Sequence, residues 1–590
     1  MKAVMVMFDT LSRRYLSTYG NDWVQTPNFE RLKEKAVQFN SFYAGSLPCM
    51  PARRELHTGR YNFLHRSWGP MEPFDFSCFE ALKKNHIYTH IVTDHSHYWE
   101  DGGATYLPRY TTWEGFRGQE GDRWVGIVNN QNRLNIPKQL ESTKMGESFY
   151  FNHANRTRMI KEEDFSSVKT FEAGIEFLNQ NKDEDNWFLQ IEAFDPHEPF
   201  YVPQKYLDLY EKIRDDVIFE WPSYAPVCES EEDKKQAIIR YAALISMCDT
   251  YLGKVLDVFD KHDLWKDTML IVNTDHGFLM GEHDWWGKNV QPSYNEIVHL
   301  PFYYYDPRKP DSHGEKDQLA QTIDIPATLL GYFGIEKPES MLGKDLYQVL
   351  DKDEKIHEAV LFGSFGGHVN VCDGRYVYMR SSIDETNSPL YEYTLMPTRM
   401  RNYFEENKLM KATLDTTFNC FKKYPVLKVP ATSMFSSYRF GNKLFDLWED
   451  PYQKNNMNDL DIEISMIEKM RKLLLENEAP LEQYTRLGIS KDKELSKEEL
   501  VNQREEKKIR DELPISIELS EKEKQQILFV RDFIGKDNIQ VVCKQIEELY
   551  GKQSVYGVLK NILQTSLGEK APKMMVQMLL GFLYVAGNSD

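Results

Sequence analysis

Short apolar runs alternate with amphipathic helical segments along the first half of the chain, and this alternation constrains the fold more than any other property. Residues 3–8 are an unbroken apolar run. Residues 27–35 follow Thr26, an acceptable N-cap, and place proline at the first helical position. Residues 79–84 read as helix and 89–92 as strand. Residues 168–179 have helical periodicity and lead into a strand at 187–194. A long amphipathic helix at 235–260 precedes a strand at 269–272. Such crossovers predict an α/β fold, a mostly parallel sheet with helices on both faces. Ligands of these sheets sit beyond the carboxyl ends of the strands. Asp9, Asp94, Asp195 and Asp275 fall at or just past such ends, so the candidate chemistry converges on one edge.

The chain has 590 residues, enough for more than one domain. A second region begins near Asp353. Residues 369–371 and 376–379 flank Asp373-Gly374, a turn pair, and predict a hairpin. Residues 390–394 and 443–447 read as further pieces of a smaller antiparallel sheet, with a long helical insertion around 399–414. Residues 491–511 are dense in Lys and Glu and read as a solvated helix or linker. Residues 519–583 read as short amphipathic helices that cannot fold alone. The expected organisation is an α/β domain over 1–352, an α+β subdomain over 353–489 and a helical extension over 490–590 serving homo-oligomeric assembly.

The formal net charge is −19. Such a surface repels nucleic acid and anionic lipid, which excludes both as general partners. A site for an anionic substrate must then carry its own cations or metal. Seven scattered cysteines, an odd number without C-x-x-C spacing, read as reduced thiols and predict a cytoplasmic protein. The apolar run at 574–586 is too short to span a bilayer.

Cys49-Met50-Pro51-Ala52-Arg53 is followed by Leu56 and Thr58-Gly59-Arg60. A lone cysteine is more often a small buried thiol. Here Pro51 suits the first turn of a helix, which places residue 49 at a positive helix end and Arg53 one turn on. The run resembles the sulfatase signature C-x-P-x-R-x-x-L-x-T-G-R. In that family the cysteine becomes formylglycine, whose hydrate supplies a nucleophilic hydroxyl and a second hydroxyl that expels the product. The resemblance covers residues 1–480 in order and spacing of motifs, and implies the alkaline-phosphatase-like fold of type I sulfatases.

Further motifs resemble the same family. Asp275-His276-Gly277 precedes Gly281-Glu282-His283 and Gly287-Lys288. An isolated Asp-His-Gly is a turn, and an isolated Asp9 is a helix cap or loop acid. The resemblance implies that Asp9, Cys49, Asp275 and His276 hold a metal and that Lys288 contacts sulfate oxygens. Where the family has a second acid or amide after the first aspartate, this chain has Thr10. One divalent cation is implied. Calcium is the first choice, and the histidine ligand leaves manganese or another transition ion open.

Asp195-Pro196-His197-Glu198-Pro199 resembles the H-x-P segment, in which His197 protonates the leaving alcohol oxygen. Residues 93–98 occupy the place of K-x-H. There His97 matches the histidine, a catalytic base, and His95 stands where the substrate-contacting lysine usually is. A structural histidine is an even rival for each. His57, His65, His283 and His368 read as structural or rim residues. Trp285 and Trp286 fall between two motifs and are candidates for a substrate-stacking wall, whereas core packing accounts for most other aromatics.

The resemblance implies a sulfuric ester hydrolase acting on a small sulfated substrate, a saccharide first, and matured by a formylglycine-generating enzyme. Phosphonate monoester and phosphodiester hydrolases share the nucleophile and stay open. An unconverted Cys49 would leave a non-catalytic binder of sulfated glycans.

Overall fold

The first apolar run forms Lys2–Phe8, a central strand of an eight-stranded sheet. It is buried throughout because it pairs in parallel with Trp187–Ala193 on one side and Thr268–Thr274 on the other. Across the sheet the order is Gly314–Lys316, Val37–Phe39, Tyr303–Tyr305, Thr268–Thr274, Lys2–Phe8, Trp187–Ala193, Tyr88–Thr93 and Thr112–Gly115. Only Tyr303–Tyr305 runs antiparallel to its neighbours. The computed structural model describes residues 1–128, 146–214, 218–417, 424–433 and 437–512. The helices expected over 519–583, the apolar run at 574–586 and Cys420 lie outside the described residues.

Strand alternation divides the interior into two cores. Ala3, Met5 and Met7 enter one, and Val4, Val6 and Phe8 the other. Cys49–Thr58 contributes Met50 and Leu56 to the first, and Cys78–Lys84 contributes Phe79 and Leu82. Ser166–Asn181 contributes Val168 and Phe171 to the second, and Glu231–Lys261 contributes Leu244, Leu252 and Phe259. Helices thus cover both faces, which is why the strands read as continuous apolar runs. Ser77 and Ser230 cap two of these helices by accepting from the Glu80 and Asp233 backbone N–H groups.

The chain forms two compact units, Met1–Leu495 and Ser496–Asp590. Within the first, a five-stranded sheet has the order Lys443–Asp446, Tyr376–Arg380, Val369–Cys372, Val360–Ser364 and Ser46–Leu47. The expected hairpin is its core, turning at Gly374 with φ 94°. Ser46–Leu47 comes from the chain just before Cys49 and pairs in parallel with Val360–Ser364. The smaller sheet is therefore stitched directly to the start of the Cys49 helix. In the second unit the charged stretch forms the helix Lys497–Glu512.

Two expectations are corrected. The segment 399–414 is not a long helix. It holds one short helix, Glu406–Leu409, and the strand Thr413–Asp415, because that strand pairs with Val426–Pro430 and tertiary pairing overrides helical composition. Tyr391–Thr394 joins the same separate three-stranded sheet rather than the sheet of Lys443–Asp446. Among the described residues no helix is long and apolar enough to cross a membrane.

Register fixes the site. Phe8 lies opposite both Ala193 and Thr274, and Thr93 lies opposite Glu192. Asp9, Asp94 and Asp275 therefore leave the sheet at the same edge.

Candidate active site

Cys49 opens the helix Cys49–Thr58, every residue of which is buried. Its Sγ lies 3.2 Å from His276 Nε2, 3.5 Å from Lys288 Nζ and 3.9 Å from Asp9 Oδ1. Burial, then the charge of Asp9, pushes the thiol well above its ordinary range. Arg53, one turn on, is a hub. Its Nε donates to Glu192 Oε1 at 2.6 Å and its Nη1 to Asp275 Oδ2 at 2.7 Å, while Nη2 stands 3.0 Å from Asp9 Oδ2.

Asp9, Cys49, Asp275 and His276 each offer one ligand atom, and these atoms lie within 4.8 Å of one another. All four residues are buried. Burial opposes ionisation of Asp9, but Arg53, His197, Lys288 and His276 together outweigh it and hold that carboxyl well below its usual range. Burial, then the charge of Asp9, pushes Asp275 up to about 7. Burial and Lys288 push His276 down to about 3, which leaves a neutral imidazole able to ligate. Asp9 Oδ2 makes no hydrogen bond. Two buried carboxyl groups, a neutral histidine and a carboxylate oxygen that makes no hydrogen bond fit a divalent cation.

Thr10, at φ 65°, stands in place of the family's second acid or amide. Its hydroxyl donates to Asp9 Oδ1 at 2.7 Å and accepts from Lys288 Nζ at 3.2 Å. Thr10 therefore ties Lys288 to the cluster. The charges of Cys49, Glu198 and Asp9 outweigh burial and raise Lys288 above its ordinary value.

A cavity of about 390 Å³ opens beside these groups. Cys49, Lys288, His197 and Tyr224 line one part of it; Trp68, His97, Glu120, Ser364, Phe365, Arg399 and Arg401 line the rest. The pairing of Ser364 with Leu47 brings the smaller sheet to its rim. His97 Nδ1 lies 3.1 Å from Glu100 Oε2 and 3.3 Å from Arg401 Nη2, and its ring packs edge-on against Trp68 at 5.0 Å.

The structure brings together Asp9, Cys49, Arg53, Asp275, His276 and Lys288, and places His97 and His197 on the cavity wall. Three expectations differ. Trp286 is fully buried and donates its indole N–H to Glu229 at 2.8 Å, so it offers no stacking face. Trp285 packs against Phe440 and is not among the cavity-lining residues. His95 turns to Asp9, with Nε2 3.8 Å from Oδ2, instead of lining the cavity. Asp94 and Asp195 reach the right edge but join each other through the Gln119 amide, at 2.8 and 3.1 Å. Sequence reasoning missed Glu192, Trp68 and Tyr224. An acid inside a buried strand was the available signal for Glu192; nothing local marked the other two.

Residues 2–335 match the sulfatase family, and residues 281–419 match the family described as N-sulphoglucosamine sulphohydrolase, C-terminal. The sulfatase YidJ of Escherichia coli K12 is 25% identical over 453 residues, spanning 68% of this chain and 83% of its own. The phosphonate monoester hydrolase of Agrobacterium radiobacter superposes with a TM-score of 0.56 at 17% identity, covering 80% of this chain and 95% of its own. BT4656, solved with its substrate D-glucosamine-2-N,6-O-disulfate, superposes with a TM-score of 0.54 at 12% identity, covering 81% and 98%. These two structures carry the fold alone. With the family matched over its catalytic half, and the motif residues gathered at one sheet edge, the chain belongs to the sulfatase family, hydrolases of sulfuric esters on an alkaline-phosphatase-like fold.

Proposed function

We propose that the protein releases sulfate from a small sulfated saccharide, using formylglycine made from Cys49 by a maturase together with one divalent cation. The observation that carries this is the placement of Cys49 Sγ at a buried helix start, 3.5 Å from Lys288 Nζ and inside the four-residue ligand cluster. Asp9, Asp275, His276 and residue 49 would hold the cation; calcium is our first choice and manganese the alternative that His276 admits. The cation and the aldehyde hydrate supply an activated nucleophilic oxygen and charge neutralisation on the sulfuryl oxygens.

The chain's own residues do the rest. Arg53 anchors the carboxylates and, from its position one turn beyond residue 49, steadies the nucleophile. Lys288 neutralises charge on the non-bridging oxygens. His197 gives a proton to the departing alcohol oxygen, and His97 takes the proton from the second hydroxyl when sulfate is expelled. Trp68 and Phe365 supply an apolar wall for the sugar ring in place of Trp285 and Trp286. A saccharide is supported by the sulfated glucosamine in BT4656 and by a cavity of about 390 Å³. The buried free cysteines Cys49, Cys78, Cys248 and Cys372 support a cytoplasmic location.

Turnover of an aryl sulfate and of an aryl phosphonate with the same leaving group tests the reaction class. The sulfate should be preferred. Preference for the phosphonate would favour the second reading, a phosphonate monoester hydrolase, which the Agrobacterium structure and the Asp275-His276 pair support.

A further inference from the structure

The carboxyl group of Glu198 has no part in the reaction described above, yet the fold buries it beside the cavity. Glu198 is 1% exposed, and its Oε2 makes no hydrogen bond. Burial pushes the group up to about 7, against the opposing pull of Lys288 and the Tyr224 hydroxyl. A buried carboxylate is costly unless something nearby needs its charge.

Its surroundings identify that need. The Tyr224 hydroxyl donates to Glu198 Oε1. His197 Nδ1 lies 2.6 Å from the Glu198 carbonyl oxygen and 3.3 Å from Oε2. With Nδ1–H held there, Nε2 is the nitrogen left for a substrate. Tyr224 is fixed in turn. Gly287 has φ 105°, and a Cβ there would stand 2.7 Å from the Tyr224 ring, so the ring rests on the backbone immediately before Lys288.

We propose that the Glu198 carboxyl group, held by Tyr224, makes this a positioning residue for His197: the backbone carbonyl sets the tautomer, and the carboxylate supplies the counter-charge for the imidazolium form. The proposal rests on His197 being the proton donor of the sulfatase reaction. As the sulfur–oxygen bond breaks, its electron pair goes to the alcohol oxygen and the proton passes to that oxygen from Nε2. The imidazole is left neutral with Nδ1–H still donating to the Glu198 carbonyl oxygen. Burial and Lys288 hold His197 well below its ordinary value, with Asp9 acting the other way and His276 with Lys288. Of the carboxylates around the ring, Glu198 has an oxygen 3.3 Å from Nδ1, which places its charge beside the imidazolium.

The test compares the matured wild type, Glu198→Gln and Tyr224→Phe on a series of phenyl sulfates whose leaving phenols grow steadily more basic. A leaving group that departs unaided needs no proton, whereas a basic one does. Glu198→Gln should lose less than about threefold on the most acidic phenol and roughly 10–100-fold on the most basic, with Tyr224→Phe following the same trend more weakly. Equal loss across the series, or no loss, would overturn the proposal. In parallel, the His197 imidazole is titrated by NMR in substrate-free protein with selectively labelled histidine. Glu198→Gln should lower its pKa by about one unit; an unmoved value counts against the proposal. This second arm needs no turnover. An inactive wild type would therefore bear on the sulfatase reaction, and the titration would still decide the role of Glu198.

Discussion

Arg53 Nε and Glu192 Oε1 meet at 2.6 Å, and through this contact the Cys49 helix is locked to the strand Trp187–Ala193. Glu192 is fully buried, as is Arg53. The pair holds the guanidinium where it also reaches Asp9 and Asp275. Three carboxyl groups share one arginine, an arrangement suited to a cation.

Arg53→Ala leaves those three carboxylates buried without their common partner. The metal-free protein should lose about 3–5 kcal/mol of stability. Added divalent cation should recover part of that loss by binding the folded state. Thermal and denaturant unfolding with and without calcium measures both.

Cys49→Ala and Asp275→Ala should reduce turnover at least about 10³-fold while the far-UV circular dichroism stays that of the wild type. Lys288→Ala keeps the nucleophile and should cost about 10²–10³-fold in kcat. An active Cys49→Ala enzyme would remove residue 49 from the chemistry.

Removing the cation with a chelator should abolish turnover and lower the unfolding temperature, and calcium or manganese should restore both. At a free-ion concentration of 100 Kd the gain is about 2.7 kcal/mol. Elemental analysis of the purified protein identifies the ion. Thr10→Asp adds a carboxylate where the family has an acid or amide and should tighten the affinity measured by calorimetry.

His57 gives a pH prediction away from the site. It is buried against Phe79, Tyr106 and Tyr110, and burial, then Arg109, pushes it down to about 3. The unfolded chain takes up this proton near pH 6.5 and the folded chain does not. Its contribution to stability is therefore present above about pH 6.5 and lost as pH falls, by roughly 1.4 kcal/mol per pH unit. His57→Phe removes the penalty, and Ser77 retains its capping bond to Glu80. Between pH 6 and 5 the variant should gain on the wild type by about that amount in denaturant titrations.

The parallel sheet was legible in the sequence because its signals are local, and the six clustered residues were legible because the motif resemblance named them. A strand ending in Asp9 or Asp275 carries its acid to a known edge, and Cys49 to Arg53 is a single helical turn. Glu192 was hidden because its strand reads as a buried apolar run, where an acid has no meaning until Arg53 is placed opposite. Trp68, Tyr224 and Arg401 reach the cavity from distant parts of the chain. Trp286 misled through adjacency: it stands next to Gly287-Lys288 in the sequence, yet its indole is buried against Phe219 and donates to Glu229. The segment 399–414 misled through composition, since its strand exists only by pairing with Val426–Pro430.

Mass spectrometry of the Cys49 peptide, from protein matured in its native host, tests the central claim most directly. The account predicts the mass loss of a thiol converted to an aldehyde, with a carbonyl reagent labelling that residue. A peptide carrying only unmodified cysteine, from protein that still hydrolyses a sulfate ester, would contradict it.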